Sequence, residues 1–210
     1  MGPIAVVESR WWRTGNHSVR QLFEAVAAIH YGNPSAFYYD MFADRSSLQT
    51  ILQARSLDGA SEVIYVASHG DSNSITPTST TAISRTEFRN IFKTCNANGQ
   101  IKGLFLGTCH TGNTETARFL LQEPATKLEW VAGYSSTVDW VDGSAIDMVF
   151  VSKLTELYLA NRSRRKDKLS PRKMAHEAAT RLVALITGAH TKYGFNIYFH
   201  ENHKITSMFS

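Results

Sequence analysis

A thiol and an imidazole stand at matching places in this chain. Cys109 closes the run GLFLGTC (103–109), and His69 closes EVIYVASH (62–69). A cysteine that only packs is most at home inside an apolar run. Cys109 instead sits where the run gives way to the polar stretch HTGN (110–113). Together the two side chains suit a nucleophilic dyad. The thiolate attacks an electrophilic carbon, and the imidazole takes the thiol proton and later protonates the leaving group. Gly70 follows the histidine, and a residue without Cβ lets its backbone come close to a substrate. The N–H groups of Gly70 and Cys109 would then form a two-donor oxyanion hole. Each residue alone has an ordinary explanation, a hydrogen-bonded strand-end histidine or an inert core cysteine. The pairing at two similar strand ends is what points to chemistry.

The other reactive groups fit less well. His110 is a second candidate base beside Cys109, but neighbouring residues on a strand face opposite ways. Cys95, in FKTCNANG (92–99), lies at a helix end and reads as structural. His176 sits within a helical pattern, KMAHEAA (173–179). His190, His200 and His203 gather near the C-terminus with Glu201. The stretch HENH (200–203) lacks the His-Glu-x-x-His spacing of helical zinc sites, and no cysteine joins it. Neither a metal nor another cofactor is expected.

The elements around the dyad alternate. Apolar, β-branched runs at 4–9, 36–42, 62–70, 101–109, 128–136 and 195–199 read as six strands. Helical spacing appears at 18–32, 46–57, 84–95, 114–122, 143–161 and 170–188. Ser46 or Ser47 is a plausible N-cap, and Ser84 with Glu87 has the spacing of a capping box. Pro171 opens the last helix and Gly188 closes it. Strands apolar on both faces and separated by helices imply an α/β fold, a three-layer αβα sandwich with a mostly parallel six-stranded sheet. Working groups in such sheets collect beyond the carboxyl ends of the strands, where His69 and Cys109 stand. The Ser/Thr-rich stretch 71–84 reads as a flap or hairpin over the cleft.

Composition is consistent with one domain spanning 1–210, 43% of it hydrophobic. Two cysteines make no disulfide framework, so both are expected reduced in a cytoplasmic protein. No signal peptide and no membrane-spanning run is visible. The formal charge of +4 comes largely from NRSRRKDK (161–168). That run lacks interleaved aromatics for stacking on bases, so nucleic acid is not an expected partner.

The ordered set YVASHG (65–70) and LFLGTCHTG (104–112) resembles the caspase-type cysteine peptidases, the group that includes metacaspases and CHAT domains. RTGNHSVRQLFEAV (13–26) is similar to their Arg-x-Gly stretch and first helix. AGYSSTVDWVDGSAIDMVFVSKL (132–154) is similar to the segment leading from the post-catalytic strand through a substrate-binding loop into a helix. The resemblance covers roughly residues 4–160. It implies a cysteine endopeptidase working through a thioester, with His69 as base, Cys109 as nucleophile, and Gly70 and Cys109 N–H as oxyanion hole. It also implies a protein or peptide substrate and control by an activating partner or oligomer.

The specificity residues depart from the animal enzymes. Their glutamine two residues before the nucleophile is Gly107 here, and their arginine in the loop after the fifth strand is replaced by Ser136, Thr137, Val138, Asp139 and Trp140. An acid there favours a basic substrate residue through a charge-assisted pair. Asp139 is therefore the expected pocket acid, with Asp71 and Asp142 as rivals, Trp140 as a wall and Ser136 as a substrate contact. Arg13, by its Arg-Thr-Gly context, would instead serve specificity for aspartate. Only 112–127 separates the nucleophile's strand from the next, so activation by a cut there is not expected. The exposed loop 160–171 is a candidate self-cleavage site, a plain solvated connection or a docking patch. A caspase-like binding module without activity and another Cys–His acyl transferase are the other readings.

Overall fold

The computed structural model describes residues 1–77 and 82–209. The elements run β1 (Ile4–Ser9), α1 (Arg20–Tyr31), β2 (Tyr38–Phe42), α2 (Arg45–Leu57), β3 (Val63–Ala67), β4 (His69–Gly70), β5 (Ser74–Thr76) and β6 (Ile83–Ser84). They continue with α3 (Arg85–Cys95), β7 (Gly103–Gly107), α4 (Thr114–Leu121), a 3-10 turn (Pro124–Thr126) and β8 (Trp130–Tyr134). The chain ends with α5 (Trp140–Ser163), α6 (Pro171–Leu185), α7 (Gly188–Thr191), β9 (Phe195–Glu201) and β10 (Lys204–Ser207).

Seven strands form the central sheet in the order β10-β9-β8-β7-β3-β1-β2. The five from β2 to β8 pair in parallel, and β9 and β10 run antiparallel to β8 and to each other. The expected architecture holds, with seven strands rather than six. The extra strand is β10, which a tight turn through Asn202 and His203 folds back onto β9.

Alternation along β1 shows how the layers are built. Val6 faces one side with Phe23 and Val26 of α1, Phe150 and Leu154 of α5, and Leu182 of α6. Ala5 and Val7 face the other with Leu48 and Leu52 of α2, Phe88 and Phe92 of α3, and Leu120 of α4. β1 thus buries both faces, as its continuous apolar run requires.

Several boundaries differ from expectation for local reasons. The run 62–70 is two elements. β3 stops at Ala67, Ser68 Oγ accepts a 3.0 Å bond from Ser9 Oγ, and His69–Gly70 turn away to pair antiparallel with β5. β4, β5 and β6 form the hairpin sheet expected for 71–84, of which 78–81 lie outside the described residues. Asp44, not Ser46 or Ser47, caps α2, while Ser47 supplies the reciprocal half of the capping box. The Ser84–Glu87 box stands as expected at α3. Gly188 opens the short α7 instead of closing α6, whose last residue is Leu185.

Candidate active site

The register of the sheet sets the site. Ala67, the last residue of β3, is paired with Gly107, the last of β7. His69 and Cys109 each stand two residues further on, so equal steps beyond paired strand ends carry them to the same edge. Both line one narrow cleft of about 160 Å³.

Gly70 draws the two strand ends together. A Cβ there would overlap Thr111 Oγ1 and sit 2.9 Å from the Cys109 carbonyl oxygen and 3.0 Å from Thr108 Cβ, so only glycine fits. Thr111 Oγ1 donates toward the carbonyl of Asp71 at 2.9 Å, and Asn113 Nδ2 donates to those of Ser72 (3.0 Å) and His110 (2.8 Å). These bonds fasten the base of the hairpin to the turn that carries Cys109.

Cys109 is a free, half-buried thiol whose Sγ lies 3.6 Å from the Val138 carbonyl, its hydrogen-bond acceptor. His69 is exposed, with its ring 5.8 Å from that of Trp11 at 76°. His110 adopts a left-handed φ of 61° and its Nε2 lies 2.8 Å from Thr137 Oγ1, which turns it out of the cleft lining. Cys95 is buried between α2 and α3, its Sγ facing the Gln49 carbonyl at 3.5 Å, and burial raises its thiol pKa.

The expected specificity residues separate. Trp140 lines the cleft and packs 5.2 Å from Trp11. Asp139 also lines it, but as the N-cap of α5. Its Oδ1 accepts from the N–H of Val141 (2.9 Å) and Asp142 (3.0 Å), and the Asp142 bond does most to hold its carboxyl below the usual range. Helix α5 therefore begins three residues earlier than its sequence pattern suggests. Asp71 caps the hairpin turn through Asn73 and Ser74, and Asp142 pairs with Tyr193, both outside the cleft lining. Arg13 is exposed and Ser136 half-buried, and neither lines the cleft.

Asp147 is the residue that the sequence pattern did not bring forward. It lies in the cleft at 6% exposure and accepts hydrogen bonds from Tyr65 and, at 2.6 Å, from Tyr134. Burial pushes its carboxyl up to about 7, against which the two tyrosine bonds act. Trp140, Gly143, Ser144 and Asp147 all line the cleft, so one wall is the i, i+3, i+4, i+7 stripe of α5. That spacing was the available signal. Gly107 belongs to the same arrangement, because a Cβ there would overlap the Tyr65 hydroxyl. The space of a longer side chain at 107 is taken by the phenol that holds Asp147. Ser144 Oγ and Thr108 Oγ1 are buried, line the cleft and have no hydrogen-bond partner among the described residues. Among the described residues, no lysine or arginine lines the cleft. Among the described residues, no group of three His, Cys, Asp or Glu side chains could hold a metal ion.

No family model and no curated protein matches the chain. Solved structures do. A secreted C11 cysteine protease from Bacteroides thetaiotaomicron, in complex with an irreversible peptide inhibitor, superposes with a TM-score of 0.55 at 10% identity over 95% of this chain. An inactive zymogen C11 protease from Parabacteroides distasonis gives 0.50 at 9% identity over 94%. The fold is the caspase-like fold of the C11 cysteine proteases. The chain spans 66% and 62% of the length of those two proteins. No helix among the described residues is long and apolar enough to cross a membrane.

Proposed function

We propose that this caspase-like domain is a cysteine endopeptidase that cleaves after a basic residue. The carrying observation is one cleft that holds His69, Cys109 and the buried carboxylate of Asp147 together. The thiol swings from the Val138 carbonyl toward His69, which accepts its proton. Sγ attacks the scissile carbonyl carbon, and the oxyanion is held by the N–H groups of Gly70 and Cys109. The His69 imidazolium protonates the departing amine, leaving a thioester. His69 then takes a proton from water, the hydroxide displaces sulfur, and the thiolate and the acid product remain.

Specificity follows from the charges. Among the described residues two carboxyl groups and no lysine or arginine line the cleft, so it offers no fixed cation to pair with an acidic substrate side chain. Asp147 faces the substrate residue from the cleft interior, with the unpartnered hydroxyls of Ser144 and Thr108 as further acceptors. Asp139 adds negative charge while capping α5. Arginine, with five donors in a planar fork, matches this set better than lysine.

The test is a fluorogenic peptide panel with Arg, Lys or Asp before the scissile bond. Wild type should cut after Arg and then Lys, and Cys109→Ala should abolish both. Asp147→Asn should lower kcat/KM for the Arg peptide about 100-fold, the cost of removing one partner of a buried charge pair. Cutting only after Asp would defeat the specificity reading. Failure of an electrophilic arginyl peptide to label Cys109 would favour the inactive binding module.

A further inference from the structure

We propose that Trp11 is a positioning residue for His69, fixed in turn by Glu8 beneath the site. This inference rests on the Cys–His dyad. The imidazole needs such a support. It sits on the exposed rim, in a strand of two residues, and no hydrogen bond to its ring is seen among the described residues. What holds the ring is an aromatic cluster. Trp11 stands edge-to-face with His69 at 5.8 Å and packs against Trp140 at 5.2 Å, and His17 closes the cluster 6.1 Å from Trp11 and 5.8 Å from Trp140.

Trp11 is itself tied down from below. Its Nε1 donates to Glu8 Oε1 at 3.3 Å. Glu8, at the end of β1, is fully buried, and its carboxylate also accepts from the Val19 N–H (2.9 Å), Ser18 Oγ (2.5 Å) and Tyr39 OH (2.5 Å). Four donors surround this buried carboxyl, so its oxygens are satisfied away from water. The donors come from the β1–α1 loop, the start of α1 and β2, so Glu8 pins the loop from three sides. The Tyr39 phenol is pushed up to about 12, first by burial and then by its bond to Glu8. The chain of contacts thus runs from a rigid strand end through an indole to the imidazole.

Position has a chemical consequence. His69 becomes an imidazolium when it takes the Cys109 proton, and a cation over the face of an indole within about 6 Å is stabilised by the ring quadrupole. The edge-to-face contact at 5.8 Å is the arrangement in which the imidazole edge can point at that face. Trp11 therefore favours the thiolate–imidazolium pair as well as the rotamer from which the proton is passed. The titratable groups around this ring are His17 on the same loop, Glu8 below it, Cys109 across the cleft and Asp139 at the start of α5.

The test uses the full chain and two readouts, alkylation of Cys109 by iodoacetamide across pH and steady-state kinetics on an arginyl peptide. His69→Ala is measured first. If it leaves the alkylation profile unmoved, the dyad itself fails, independently of Trp11. With the dyad established, Trp11→Leu should lower kcat about 10- to 100-fold with KM changed less than about threefold, and should move the acid limb of alkylation about half a pH unit upward. Trp11→Phe keeps a ring but loses the bond to Glu8. Its shift should be smaller and in the same direction, and it keeps the proposal testable if the leucine variant fails to fold. Folded variants with wild-type profiles would overturn the proposal. So would a loss confined to KM, which would make Trp11 a substrate wall.

Discussion

At Asp147 the proposed choice of substrate and the stability of the domain depend on pH with opposite signs. Its carboxyl is raised from 3.8 to about 7 by burial, so between those values the folded state holds a proton that the unfolded state has released. Stability from this group is greatest below pH 4 and declines as pH rises toward 7, by on the order of 4 kcal/mol in total. A basic substrate needs the ionised form. KM for an arginyl peptide should therefore fall as pH rises through about 7, while the same rise lowers resistance to urea. Asp147→Asn should flatten both dependences, and a KM profile that keeps its inflection in that variant would remove Asp147 from the pocket. Gly107 guards the same group. Gly107→Ala drives a Cβ into the Tyr65 hydroxyl, which is buried and cannot swing aside. The expected cost is about 1–3 kcal/mol, the range for an overpacked core. Urea unfolding measures it, and a variant as stable as wild type would mean that Tyr65 does not need that space.

At the scale of the element, the proposed pocket gives Asp139 and Asp147 different tasks along α5. Asp139 accepts two backbone N–H bonds as N-cap, whereas Asp147 lies two turns inside the cleft wall. Asp139→Asn keeps an oxygen acceptor and should leave both melting temperature and arginine cleavage close to wild type. Asp139→Ala should lower the melting temperature yet retain the preference for arginine. A loss of that preference in Asp139→Asn would return the specificity role to Asp139. The same helix shows how much was legible beforehand. His69, Gly70 and Cys109 were legible because each ends or follows an apolar run that must be a buried strand. The mostly parallel sheet followed from those runs. Asp147 was not, because α5 is buried on several sides and apolar residues surround it, so the Trp140, Gly143, Ser144, Asp147 stripe did not stand out as a face. The start of α5 was missed for a related reason. A cap is defined by backbone geometry, and an Asp before a Trp looks equally like a loop. β10 was missed because KITS (204–207) is an exposed edge strand with little apolar pattern.

At the scale of the molecule, α5 sets the distance between the cleft and the basic loop. Its 24 residues span about 36 Å at 1.5 Å each. Trp140 is in the cleft wall, so residues 164–168, just past Ser163, lie at the far end of that rod. A domain that prefers arginine would find Arg164, Arg165, Lys166 and Lys168 exposed there. The rod keeps its own loop out of its own cleft, so any cut in this loop must be made by another molecule. Self-processing should then be second order. The fraction cut in a fixed time should rise in proportion to protein concentration, and wild-type enzyme should cut a Cys109→Ala chain as readily as its own. Mass spectrometry would locate the cut within 164–168. The two pieces should stay together, because β9, beyond the cut, is paired with β8 before it, and α6 packs with α5 on the same core. A single species on size exclusion with two bands on a denaturing gel would show this. A rate independent of concentration would require a cut within one molecule, and α5 would then have to unwind before the loop could reach Cys109.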